Sequence, residues 1–262
     1  MIEPVGTQLW ADMRWRDGWR VQRRWNHEAG RLLDPRGRTI HRGSVAECQR
    51  ALERLAPAPV AADHLVVLLH GLGRTRRSLA RLDRALTRSG FATARLDYPS
   101  TRATIEEHAA QVADLLDHVP TPAALSFVGH SLGALVSRQL FAHQGPWRSC
   151  VARVAMLAPP NQGASIASLL DGGGILRTVL GPSFAQIASG RGTDLPVPDV
   201  PVAVFAGDAF GTSGDGLVEV EETRLPSAVE HHTIPAIHTF IMNRPEVIRG
   251  VVSFLRGAPD RR

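Results

Sequence analysis

The chain contains no lysine: all 30 of its basic residues are arginine. That uniformity reads as a codon bias and carries no functional signal of its own. Cysteine is almost as scarce, with only Cys48 and Cys150. Two cysteines give neither a disulfide framework nor a metal-ligand spacing, so free thiols are expected, with a single bridge as the alternative. No apolar run approaches the ~20 residues that span a bilayer, so no integral membrane segment is expected. The N-terminal stretch MIEPVGTQLWADMRWRDGW lacks the apolar core and small-residue cleavage site of a secretory signal, which predicts a cytoplasmic protein. H-E-x-x-H, G-x-x-x-x-G-K-[ST] and paired C-x-x-C are all missing, which excludes the zinc-protease, P-loop and zinc-module readings.

What is present is a chain of 262 residues, 44% hydrophobic, with 18 prolines. This suits one α/β domain with embellishments, or two small domains. The net charge is 30 − 25 = +5, and most of the excess lies in residues 1–50, where ten arginines face six acids (10 − 6 = +4). Trp10, Trp15, Trp19 and Trp25 lie there too. A basic, aromatic stretch can touch nucleic acid or a membrane surface. However, Trp19-Arg-Val-Gln-Arg-Arg-Trp25 alternates like a strand, so packing of Trp19, Val21 and Trp25 is the preferred reading and no nucleic-acid partner is expected.

Residues 1–62 read as a small ββα extension and linker. Asp34-Pro-Arg-Gly37 has turn chemistry between two extended pieces. Ser44-Val-Ala-Glu47 fits a capping box for a helix ending near Leu55, and Pro57 to Ala62 is a linker. From residue 63 to 262 the pattern changes to alternating strands and helices. Strands are predicted at His64–Leu69, Phe91–Leu96, Ala124–Val128, Val151–Leu157, Val200–Phe205 and His231–Pro235. Helices are predicted at Ser78–Ser89, at Thr104–Val119, after Ser131, and at Arg244–Leu255. The rhythm implies a mostly parallel sheet covered on both faces, and there is no internal repeat. Residues 163–199 interrupt it with glycine, proline and short apolar patches. A cap over a pocket is preferred there to an ordinary long connection.

The chemistry gathers around Phe127-Val-Gly-His-Ser-Leu-Gly-Ala134. A serine hydroxyl becomes a competent nucleophile only when a base takes its proton and donors bind the oxyanion that forms. The G-x-S-x-G pattern puts Ser131 on a sharp strand-to-helix turn above the sheet edge. His70-Gly-Leu-Gly73 follows the first buried strand, where the N–H of Leu72 can face the same carbonyl as the N–H of Leu132. Asp215 lies in Gly214-Asp-Gly-Leu-Val218, and His238 stands shortly before the final helix. The order Ser131, Asp215, His238 is that of one of the three unrelated triad designs.

With these residues the sequence resembles the α/β-hydrolase superfamily, in its lipase and esterase branch, from about residue 64 to 257. HGLG, GHSLG, DGLV and the late histidine carry the resemblance, and Ala158-Pro-Pro-Asn-Gln-Gly163 looks like the segment many bacterial lipase-like members carry after the next strand. The resemblance implies an α/β-hydrolase fold and a serine carboxylic-ester hydrolase. Ser131 would be the nucleophile, His238 the base and Asp215 the acid, with Leu72 and Leu132 forming the oxyanion hole. It implies no metal and no cofactor, with a small-molecule or lipid-like ester as substrate. The same machinery would also cleave a thioester, lactone or amide, and a non-catalytic binding protein on the same scaffold is the rival of a different class. Asp208, just after the Val200 strand, is the rival acid; DGLV is where the lipases that this chain resembles carry theirs. His231 and His232 are rival bases, and Asp97 comes too early for the chain order. His70 and His130 are expected to support backbone packing.

Overall fold

A strand made of consecutive apolar residues must be covered on both faces. In His64–Leu69, Leu65, Val67 and Leu69 enter one core while Val66 and Leu68 enter another, so this single strand defines two apolar layers. The computed structural model describes residues 8–164, 180–209, 211 and 213–257. In chain order it begins with β1 (Trp10–Arg16), β2 (Trp19–Arg24), β3 (Ala29–Leu33), β4 (Thr39–Ser44) and α1 (Val45–Leu55). There follow β5 (His64–Leu69), α2 (Ala80–Arg88), β6 (Ala92–Leu96), α3 (Ile105–Leu116), β7 (Ala124–His130) and α4 (Leu132–Gln139). The chain continues through β8 (Val151–Leu157), α5 (Pro182–Ala188), β9 (Val202–Gly207), β10 (Glu230–Ile234) and α6 (Pro245–Arg256).

Six of these strands form one parallel sheet in the order β10-β9-β8-β7-β5-β6. Helices α3 and α4 cover one face through Ile105, Val112, Leu116 and Leu135. Helices α2 and α6 cover the other through Leu82, Leu86, Val247, Val251 and Phe254. Each strand and helix expected between residues 64 and 255 is present, with shifted ends. β9 starts at Val202 because Pro201 has no N–H to give to a ladder. α3 starts at Ile105, where Thr104 and Glu107 close a capping box on the first turn.

The N-terminal extension corrects the ββα expectation: four strands precede the helix, in an antiparallel meander β1-β2-β3-β4. Asp17 and Gly18, both at positive φ (44° and 86°), close the hairpin between β1 and β2. The Ser44–Glu47 capping box starts α1 as expected. Its inner face, with Cys48, Ala51 and Leu52, packs on Val21 and Leu32, and Trp19 lies against that cluster. Both cysteines are free. The surplus arginines are largely engaged within the molecule. Arg14 pairs with Asp114, Arg16 with Glu53 and Arg38 with Asp34, while Arg31 lies 4.0 Å over the ring of Trp10.

A buried polar seam holds this small sheet to the six-stranded sheet. Asp12, fully buried, accepts from Arg20 (2.8 Å), from Gln22 (2.8 Å) and from the backbone N–H of Asp97 (2.7 Å). The N–H of Asp12 donates in return to the carbonyl of Asp97 (2.9 Å). Asp97 also takes the guanidinium of Arg76 (2.9 Å). No helix among the described residues is long and apolar enough to cross a membrane.

Candidate active site

Parallel strands bring their carboxyl ends to one edge of the sheet, and the candidate residues collect there. β7 lies between β5 and β8, so the turn after it is flanked by the loops that leave both neighbours. Ser131 occupies that turn with φ 53° and ψ −119°, a conformation a non-glycine residue holds only where its surroundings impose it. Two close approaches explain the glycines around it. A Cβ on Gly129 would lie 2.4 Å from the backbone of Gly133 and Ala134, and one on Gly133 would lie 2.2 Å from the carbonyl of Leu69. The N–H of Ser131 donates to Leu157 (2.8 Å), which ties the turn to β8.

The loop after β5 presses on the same spot. A Cβ on Gly71 would stand 2.9 Å from Nδ1 of His130 and 3.3 Å from Cβ of Ser131. Leu72, the residue expected to supply an oxyanion donor, is therefore one position from a residue packed on Ser131. Leu132, the other, opens α4 directly after it. His70 lies beneath this loop, its ring stacked on Tyr98 at 4.2 Å. Its backbone carbonyl accepts from the Tyr98 hydroxyl. His70 and His130 are thus placed as packing groups. His130 is buried and donates Nε2–H to the carbonyl of His238 (3.0 Å). Burial, with repulsion from His238 added, holds the His130 imidazole well below its ordinary pKa and keeps it neutral.

Asp215 and His238 are brought together by a different pair of loops. Gly214 to Val218 folds back on the end of β9, so that a Cβ on Gly207 would sit 2.6 Å from that of Asp215. Oδ1 of Asp215 accepts from the N–H groups of Leu217 (3.0 Å) and Val218 (2.8 Å). Oδ2 faces Nδ1 of His238 at 2.7 Å, and the N–H of His238 donates to the Asp215 carbonyl (3.0 Å). A carboxylate oxygen accepts here from Nδ1–H, and in the neutral imidazole that tautomer leaves the lone pair on Nε2. The ring of His238 lies 5.0 Å from that of His130, the residue before Ser131, which joins the two halves of the site.

The rival bases and Asp97 are engaged elsewhere. His231 meets the hydroxyl of Thr223 (2.9 Å), and His232 meets Glu230 (2.9 Å) while stacking on Phe205. Asp208 follows β9 directly, its N–H donating to the carbonyl of Ile234 (2.9 Å), and its Oδ1 has no hydrogen-bond partner among the described residues. Asp97 is paired with Arg76 in the seam. The described residues hold no group of three or more His, Cys, Asp or Glu side chains able to grip a metal ion.

Of the segment expected to be a cap, residues 165–179, with Ile166, Leu169, Leu170, Ile175, Leu176 and Val179, lie outside the described residues. The remainder packs on α3 and α4. Ser183 donates to the carbonyl of Ala103 (2.7 Å), and Gln186 accepts from the N–H of Ile105 (2.8 Å). One residue behind the site has no counterpart in the sequence reading. Arg138 of α4, 1% exposed, donates to the carbonyls of Gly192 (2.7 Å), Leu195 (2.6 Å) and Pro196 (3.1 Å) and to the side chain of Asn161 (3.1 Å). Asn161 belongs to the Ala158–Gly163 stretch and also donates to Thr223 (2.9 Å). Arg138 therefore clamps the segment before β9 to the helix that follows Ser131.

A six-stranded parallel sheet with a strained serine between β7 and α4, and an acid and a histidine on later loops, defines the α/β-hydrolase class. The chain belongs to the alpha/beta hydrolase family, whose profile matches residues 66–251. No curated protein matches it in sequence. Among solved structures it is similar to a Bacillus licheniformis lipase in mature form, at 21% identity and TM-score 0.59, over 76% of this chain and 94% of that one. A metagenomic carboxyl esterase is similar at 18% identity and TM-score 0.59, over 78% of this chain and 79% of that one. A thermophilic esterase from Thermogutta terrifontis shares 18% identity at TM-score 0.55, over 76% of this chain and 91% of that one. At these identities the likeness is one of fold.

Proposed function

We propose that the protein is a serine hydrolase of carboxylic esters that works through Ser131, His238 and Asp215. The observation that carries this reading is the 2.7 Å contact between Nδ1 of His238 and Asp215, which leaves Nε2 as a base beside the strained serine turn. Nε2 takes the proton of Ser131 as Oγ attacks the ester carbonyl. Asp215, fixed by two backbone N–H groups, holds the imidazole in one tautomer and stabilises the imidazolium. The N–H groups of Leu72 and Leu132 bind the tetrahedral oxyanion. His238 then protonates the departing alcohol and activates the water that releases the acyl group from Ser131. The named activities of the neighbours, lipase and esterase, are why an ester is placed ahead of a thioester, lactone or amide.

The test combines covalent labelling with kinetics. A fluorophosphonate probe labels the wild-type protein on Ser131, and p-nitrophenyl esters are hydrolysed. Ser131→Ala abolishes labelling and lowers kcat by on the order of 10⁶, to background. Asp215→Asn lowers kcat by roughly 10⁴ through the wrong tautomer, while Asp208→Asn is mild. Retention of a tenth of the activity by Ser131→Ala rejects the nucleophile, and the reverse order of the two aspartates moves the acid to Asp208. A wild-type protein inert to the probe is the result that a binding role would give.

A further inference from the structure

The family profile begins at residue 66, yet a residue well before it reaches the loop beside Ser131. Gln8, 5% exposed, precedes β1 and inserts its carboxamide between Arg74 and Ser100. Its Nε2 donates to the carbonyl of Arg74, and its Oε1 accepts from the hydroxyl of Ser100 (2.8 Å). Ser100, fully buried, accepts in turn from the N–H of Gly73 (3.0 Å). The carboxamide thus holds the Arg74–Thr75 peptide directly and the Leu72–Gly73 peptide through Ser100. The N–H of Arg74 also donates to the carbonyl of Gly71 (3.2 Å), closing a turn with Leu72 inside it. Gly73 has φ +64° and no atom within 4 Å of where a Cβ would stand, so side-chain packing at this position does not hold the turn. Gln8 itself is well anchored. The carbonyl of Leu9 accepts from Trp25 (2.7 Å), and the Asp12–Asp97 exchange locks β1 to the chain just before Ser100.

We infer that Gln8 is a positioning residue for the oxyanion-binding loop, acting through Ser100 on the Leu72–Gly73 peptide and directly on the Arg74 carbonyl to fix the turn that presents the Leu72 N–H. The inference rests on the ester-hydrolase reading above. An oxyanion donor counts only in the transition state, and a small displacement of it costs rate and not affinity. Replacing Gln8 by leucine keeps the bulk and removes both hydrogen bonds.

In the full-length chain, Gln8→Leu and Ser100→Ala each lower kcat for p-nitrophenyl butyrate by about tenfold to a hundredfold. KM changes by less than threefold, with active sites counted by fluorophosphonate titration. Because both residues act through one chain of hydrogen bonds, the double variant is little worse than either single one. A purely structural role would lower the melting temperature and leave kcat per titrated site within twofold of wild type, and that result overturns the inference. Should Gln8→Leu fail to fold, an unchanged kcat in Ser100→Ala overturns it equally. A wild-type protein that neither takes the probe nor hydrolyses the ester rejects the ester-hydrolase reading itself, and the inference with it.

Discussion

His108 tests whether the buried polar layer beneath the loop after β5 behaves as its geometry requires. It lies on the inner face of α3, 1% exposed, 4.8 Å from the ring of Tyr98, and its Nε2 has no hydrogen-bond partner among the described residues. Burial first, and repulsion from His70 second, lower its pKa from 6.5 to about 3, against the opposing pull of the Ser100 and Ala103 backbone. The folded pKa lies below the unfolded one, so the unfolded chain binds a proton that the folded chain refuses. The stability linked to this residue is complete above about pH 6.5 and is lost as the pH falls toward 3. Each pH unit within that window is worth about 1.4 kcal/mol. Allowing for the gradual onset near 6.5, the loss between pH 7.5 and 4.5 comes to roughly 2–3 kcal/mol from His108 alone. Urea unfolding followed by tryptophan fluorescence at four pH values, for wild type and for His108→Phe, isolates it. His130 is shifted in the same direction, but it is present in both proteins and drops out of the difference. Wild type should lose roughly 2–3 kcal/mol more than the variant over that range. Parallel stability curves would refute the reasoning.

Two further expectations concern buried charge. Arg138→Met leaves the carbonyls of Gly192, Leu195 and Pro196 and the Asn161 side chain short of a donor, and costs about 3–5 kcal/mol in urea unfolding; a loss under about 1 kcal/mol would contradict the clamp. Asp12→Leu strands the guanidinium of Arg20, which is 5% exposed, and costs about 3–5 kcal/mol, whereas Asp12→Leu combined with Arg20→Met recovers most of it. A double variant no more stable than Asp12→Leu would mean that the pair is not what holds the seam.

The parts of this molecule that were legible in its sequence are those whose causes are local. Apart from α5, the elements from β5 to α6 follow from short continuous apolar runs or from apolar residues at a spacing near 3.6, bounded by caps and glycines a few positions away. Gly129 and Gly133 announce the serine turn because the first must clear the backbone at the start of α4 and the second the Leu69 carbonyl on the neighbouring strand. The Asp215–His238 contact was foreshadowed by the order of these residues along the chain and the resemblance of DGLV to a known segment. β1 went unread although Asp17-Gly18 is a strong hairpin signal, since its tryptophans and charges obscure the alternation. Gln8 and Asp12 gave no signal at all, and Asp97 stood out only as a rival acid, not as part of the seam. Their partners lie far off along the chain, and a single polar side chain carries no periodicity. Arg138 misleads for a related reason: an arginine on a helix suggests the solvent side, but Leu132 to Arg138 are all buried, so α4 has no such side there.

The two halves of the site hang on strands of unequal standing. β7, which delivers Ser131, has a hydrogen-bonded neighbour on each side, whereas β10, which leads into His238, is an edge strand bonded only to β9 and partly open to solvent along its length. Local opening costs least where a strand has one partner and little buried apolar area. Fluctuations that peel β10 from the sheet carry the histidine away while the serine turn stays closed. Opening of the candidate site and loss of the fold are then separate events with separate free energies, and amide exchange in Glu230–Ile234 reports the first of them.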